Sequence, residues 1–226
     1  MIVLALDTAG ATASAAVLGP DGLGLATSDE PRAHARVLPA LVDEAAAAAG
    51  VPLAGVTHVA VSRGPGLFTG LRVGLVTAQM FAMAGDLPVA GVSSLAAAAR
   101  RVVQQQRPAG DFAVLLDARR REVFAQVFGP GGAPLDEPRT LDRAGVRGPA
   151  GLPSHVPDAA VWTEPAAVAL GFPGVALECG GLAAEVAAVA HDQWLAGAAP
   201  EPATPLYLRR PDTTAANPQR SVLGQR

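Results

Sequence analysis

Arg63 to Arg72 reads R-G-P-G-L-F-T-G-L-R, a run of glycine and proline set between two apolar segments, and nothing else in the chain restricts the fold as tightly. Gly64, Gly66 and Gly70 carry no Cβ, so the backbone there can take positive φ or let another backbone come very close, while Pro65 fixes φ between them. Val56 to Ser62 reads as a buried strand before the loop, and Val73 to Met83 reads as a helix after it. A strand, a tight glycine turn and a helix make a place where amides hold an anion or where a second protein docks. The stretch lacks the lysine and hydroxyl of G-x-x-x-x-G-K-S/T and the spacing of the dinucleotide fingerprint, while Phe68 and Leu71 put apolar surface beside it. That shifts the weight toward docking.

Half of the 226 residues are hydrophobic, enough to bury a core in one large domain or two small ones. There is no lysine, so all 17 cationic side chains are arginine, and the net charge is −3. Such a balance argues against a generally basic nucleic-acid binder and leaves room for a local arginine patch. No apolar run approaches the ~18 residues of a membrane span, and no basic segment precedes the first apolar run. A cytoplasmic protein without a membrane partner is expected. Cys179 stands alone, without a partner for a disulfide or neighbours for a zinc site.

Taken in order, Ile2–Leu6, Ala11–Leu18 and Leu23–Thr27 read as a three-stranded antiparallel meander, turned at Pro20-Asp21-Gly22. Val37, Leu38, Leu41, Val42 and Ala45 share one face of a helix, which Pro39 is expected to kink or to start near Leu38. After the strand, loop and helix already described, Gly85-Asp86 stops that helix and Leu87–Val92 forms another strand. Ser93 or Ser94 caps a further helix to about Gln105. This βββαβαβα order suits a mixed sheet with helices on its faces. A boundary is expected at Arg107-Pro108-Ala109-Gly110, giving residues 1–106 and 107–226 as two domains. The second opens like the first, with Phe112–Leu116 ending at Asp117 and Glu122–Phe128 returning. Residues 133–178 show only short apolar runs at Ala159–Trp162 and Val175–Leu177, Gly180-Gly181 opens a last helix to Leu195, and the tail from Pro211 is expected to be weakly ordered.

Individual residues point to little chemistry. Asp7-Thr8 at a strand tip suits either a metal-bound water or phosphate in a cleft, or a turn that caps backbone amides. His34 has no second ligand near it, the other histidines are scattered, and no nucleophile stands beside a base, so no metal site and no catalytic set are expected. Arg63 and Arg72 flank the loop as interface candidates. Arg119-Arg120-Arg121 lies at an expected hairpin turn, solvated or touching RNA phosphate or an acidic partner.

Six segments together resemble the TsaB (YeaZ) family, the accessory subunit of the bacterial system that makes threonylcarbamoyladenosine beside the anticodon of certain tRNAs. They are L-A-L-D-T-A at the start, H-A-R-V-L-P from His34, G-P-G-L-F-T-G-L-R from Gly64, G-V-S-S-L from Gly91, D-A-R-R-R-E-V-F from Asp117, and P-L-Y-L-R from Pro205. Leu67 and Ala9 depart from the family by lacking hydroxyls, and Leu38 stands where the catalytic relative TsaD carries its second metal-ligand histidine. The resemblance implies an α/β, two-lobed actin and sugar-kinase-like (ribonuclease H-like) fold with mixed sheets flanked by helices. It also implies a non-catalytic scaffold that pairs with TsaD, is joined by the ATPase TsaE, meets tRNA through the complex, and forms homodimers when alone. Leu38, Leu41, Val42, Phe68, Leu71, Arg72, Leu75 and Val76 are the expected interface residues. No cofactor is required. The rival is an actin-like ATPase or small-molecule kinase holding ATP or ADP at Asp7, Thr8, Gly180 and Gly181. A peptidase reading is weaker still, since neither nucleophile nor zinc set is visible.

Overall fold

The computed structural model describes residues 1–30, 33–148 and 151–209; the tail from Pro211 lies outside them. Strand β1 (Val3–Asp7) turns Val3 and Ala5 to one face and Leu4 and Leu6 to the other, all four without exposure. It pairs antiparallel with β2 (Ala13–Gly19), which pairs antiparallel with β3 (Gly22–Ser28), completing the expected meander. Helix α1 (His34–Ala48) packs Leu38, Leu41, Val42 and Ala45 over Leu4 and Leu6. It begins at His34 and is continuous through Pro39, ahead of the start expected near Leu38. The carbonyl that Pro39 cannot engage belongs to Ala35, and both residues are exposed, so water can satisfy it.

Strand β4 (His58–Gly64) lies parallel to β1, and helix α2 (Phe68–Gly85) leads to β5 (Val89–Ser93), parallel to β4. Because α2 starts at Phe68, its first turn lies inside the glycine stretch and not at Val73. Asp86, in the left-handed region at φ 50°, ends it. Helix α3 (Ser94–Gln106) is capped by the Ser93 hydroxyl, which accepts from the Ala96 amide.

A second sheet repeats the plan. Its strands β6 (Phe112–Arg119), β7 (Glu122–Phe128) and β8 (Arg139–Asp142) form an antiparallel meander, with β9 (Val161–Thr163) parallel to β6, then helix α4 (Pro165–Ala169), then β10 (Val175–Ala176) parallel to β9. The strand orders, β3-β2-β1-β4-β5 and β10-β9-β6-β7-β8, correspond strand for strand when the second is read backwards. Asp7 and Asp117 therefore sit near the ends of equivalent strands, a repeat that the fold carries without sequence identity.

Helix α3 and the last helix, α5 (Ala183–Leu195), lie in one continuous apolar core with inward residues of both sheets: Val3 and Ala5, Leu95 and Val102, Phe112 and Phe128, Val186 and Ala190. A separate core under α1 and α2 backs the first sheet, and another backs the second. The boundary expected at residue 106 falls between the sheets. Helix α5 and residues 201–209, which follow it in sequence, cross back to the first: Glu201 bridges Gly91, Ala203 accepts from Gln79, and the Leu206 amide donates to Arg63.

Candidate functional site: an interlobe cleft and an exposed helix face

The glycine stretch is pinned to the tip of β1. A Cβ on Gly66 would stand 2.4 Å from the Ala9 carbonyl oxygen, and one on Gly70 would stand 2.5 Å from that of Thr8. The Leu67 amide donates to Ala9 at 2.7 Å, so backbone meets backbone where side chains are absent. The Thr8 hydroxyl donates to the Gly70 carbonyl (2.8 Å) and accepts from the Gly74 amide (3.0 Å), locking β1 to the first turns of α2. His34 joins the same corner, its Nε2 3.2 Å from the Gly10 oxygen.

Asp7 ends β1 with a buried carboxylate, and both oxygens are taken. Oδ1 accepts from Ala9 at 3.1 Å, and Oδ2 accepts from Leu182 at 3.0 Å, immediately before α5. Ser14 accepts from the next amide, Ala183. Burial pushes the Asp7 carboxyl above its ordinary value, while the amides and the Arg101 charge pull it back. Gly180 and Gly181 are packed against the first sheet: a Cβ on Gly181 would stand 2.8 Å from the Thr27 methyl, and one on Gly180 would stand 3.1 Å from the Thr12 hydroxyl.

Between the lobes remains a cleft of about 220 Å³, whose charged walls, among the described residues, are Asp7, Asp117, Glu164 and Glu178 against the guanidinium of Arg119. Glu164 accepts from the Asp117 amide at 2.8 Å, and burial raises its carboxyl. Arg119 pairs with Asp117 at 3.0 Å. The Cys179 thiol is pushed far up by burial and by the carboxylates around it, which keeps it protonated and a poor nucleophile. Among the described residues no three histidine, cysteine or acidic side chains are gathered to hold a metal, and no helix is long and apolar enough to cross a membrane.

The eight expected interface residues divide by burial. Leu38, Leu41, Val42, Leu71 and Leu75 are between 0% and 4% exposed, which corrects their placement: they fill the chain's own core beneath α1 and α2. Phe68, Arg72 and Val76 reach the surface. With Met80 and Met83 they form a stripe along α2 on which Phe68 is 38% exposed, Val76 58%, Met80 60% and Met83 78%. Arg72 lies over the Phe68 ring at 3.8 Å and donates to the Tyr207 hydroxyl at 3.0 Å, and Tyr207 stacks on Phe68 with centroids 5.2 Å apart. The returning segment thus braces the start of the exposed face.

Sequence reasoning missed Arg101. Its fork grips Glu185 through two bonds of 2.8 Å and donates to the carbonyls of Glu178, Gly180 and Gly181. Only proximity in the fold joins residues so far apart, and nothing local in the Arg100-Arg101 pair of an alanine-rich helix tells which of the two turns inward.

Two repeated sheets on either side of a cleft, with helices on their faces, define a two-lobed protein of the actin-like, ribonuclease H-like class. Residues 12–137, more than half of the chain, match the family model of TsaD, tRNA N6-adenosine threonylcarbamoyltransferase. An uncharacterized Mycobacterium leprae protein is 36% identical over 93% of this chain and 55% of its own length. The tRNA threonylcarbamoyladenosine biosynthesis protein TsaB of Haemophilus influenzae is 37% identical over 56% of this chain, so that the match spans 54% of that relative. YeaZ from Pseudomonas aeruginosa superposes with a TM-score of 0.73 at 28% identity, over 91% of this chain and 100% of that structure. The chain belongs to the TsaB (YeaZ) family.

Proposed function

We propose that the chain is a non-catalytic subunit in tRNA threonylcarbamoyladenosine biosynthesis, pairing with a TsaD-type catalytic subunit through the exposed face of α2. The observation that carries this reading is the stripe of Phe68, Val76, Met80 and Met83, apolar side chains in water on a helix whose opposite side is core. Contiguous apolar surface of this kind marks a protein contact. The name of the Haemophilus relative supplies the pathway. A TsaE-type ATPase completes the assembly, tRNA is met through the complex, and without the catalytic partner a second copy covers the same face.

The cleft supports a role without a cofactor. A nucleotide's phosphates need donors, whereas here the amides opening α5 are held by Asp7 and Ser14 and the walls carry four carboxylates. In the rival reading as an ATPase or kinase, the isolated chain binds and turns over magnesium-ATP. Calorimetric titration separates the two: no heat is expected, and tight binding with turnover would favour the rival.

Mixing catalytic subunit, ATPase, tRNA and threonylcarbamoyl-adenylate with and without this chain tests the main reading. Modification is expected to depend on the chain, and equal modification in both tubes would overturn it. Val76→Glu with Met80→Glu is expected to weaken pairing by roughly tenfold or more. Both sites are exposed, so the melting temperature should hardly move.

A further inference from the structure

Phe68, Arg72, Val76 and Met80 recur at i, i+4 spacing and so stand on one side of α2, which places a guanidinium inside the exposed apolar stripe. It is held there from two directions. Its central carbon lies 3.8 Å over the Phe68 ring, and its Nε donates to the Tyr207 hydroxyl at 3.0 Å. The N–H groups of its terminal nitrogens have no acceptor among the described residues. Other polar side chains of the helix spend their donors inside the chain, Thr77 on the Val73 carbonyl and Gln79 on that of Ala203. A shallow groove of about 500 Å³ opens beside Arg72, lined also by Ala35, Val73, Val76 and Thr77, and among the described residues no acidic side chain stands on its wall.

We propose that Arg72 sets the specificity of this face: its fork takes a carboxylate of the docking partner, and it selects the catalytic subunit over a second copy of this chain. The inference rests on the subunit reading above. Docking strips water from the guanidinium, and a desolvated cation within an apolar contact weakens that contact unless an anion meets it. Helix α2 reads F-T-G-L-R-V-G-L-V-T-A-Q-M-F-A-M-A-G, without an acidic residue. Two copies laid α2 against α2 therefore bury both arginines and bring a carboxylate to neither. A partner whose apolar surface carries one aspartate or glutamate meets the fork with two parallel bonds. The same charge attracts one partner and discourages the other. Because Phe68 and Tyr207 already fix the side chain, little rotamer freedom is left to lose on docking.

Arg72→Met tests it by removing the charge while keeping an unbranched apolar side chain. Affinity for the TsaD-type catalytic subunit is expected to fall by roughly tenfold or more, while self-association, followed by sedimentation, is expected to hold or strengthen. Arg72→Lys keeps the charge without the fork and should recover only part of the lost affinity. The site is exposed, so the melting temperature of each variant should stay near that of the wild type. Unchanged affinity for the catalytic subunit in folded Arg72→Met would overturn the proposal. Equal loss of both kinds of pairing would overturn it too, leaving Arg72 as a brace for Phe68 or placing its carboxylate on the second copy. Failure of the wild-type chain to pair with the catalytic subunit at all would instead overturn the subunit reading, and this inference with it.

Discussion

Arg101 and Glu185 are the residues on which the joint between helix and cleft depends. Their side chains are 12% and 9% exposed, and the pair is bidentate with three carbonyls closing the rest of the fork. Removing one partner leaves the other charge buried, so Arg101→Met is expected to cost about 3–5 kcal/mol in a denaturant melt. Adding Glu185→Leu should recover most of that loss. Glu164 gives a separate test in pH. Burial holds its folded carboxyl above the ordinary 4.5, so the folded state keeps the proton more tightly than the unfolded chain. Stability from this group therefore falls as pH rises above about 4.5. Glutamine cannot ionise and still accepts from the Asp117 amide. Melting temperatures of Glu164→Gln and wild type should lie close near pH 4 and separate in the variant's favour toward neutrality. A constant gap across that range would contradict the burial argument.

At the scale of elements, the glycine loop and α2 act as one corner. Gly66→Ala forces a Cβ against the Ala9 oxygen at 2.4 Å and is expected to cost about 3 kcal/mol or more, whereas Gly131→Ala, with nothing within 4 Å, should cost almost nothing. A melting curve for each suffices, and equal stabilities would show that the corner yields. The sequence made this corner legible, because glycines spaced against a strand tip announce a close approach. Which side of α2 faces water was not legible. Leu71 and Leu75 are as apolar as Val76 and Met80, and a helix that is apolar around much of its girth carries no mark of inside and outside. Residues 133–178 resisted for another reason. β8 spans only Arg139–Asp142, reads Arg-Thr-Leu-Asp, and is placed by Asp136, which accepts from the Val127 amide and pairs with Arg139. β10 has two residues. Strands so short show no period, and distant partners hold them.

For the whole molecule, the repeated sheets are joined by shared helices more than by the connection at residue 106. α3 and α5 pack inward residues of both sheets into one core. The lobes are accordingly expected to unfold together. The chain's two tryptophans report on both parts, Trp162 on β9 and Trp194 on α5. Trp162→Phe and Trp194→Phe variants, each followed by the remaining fluorophore, should give coincident denaturant transitions, and separated midpoints would show that the lobes melt independently.

The bond from Leu182 to Asp7 joins points 175 residues apart. Strand β5 ends at Ser93 and α5 ends at Leu195, about 100 residues later, so the inner face of a finished first sheet has only α3 for cover, and lacks α5, while those residues are made. At roughly 5–20 residues per second that is an interval of order 5–20 s. Val3, Ala5 and Ala16, on the strands that α5 covers, wait that long for it, time enough for a chaperone at the ribosome exit to hold the first half of the chain before its last helix arrives.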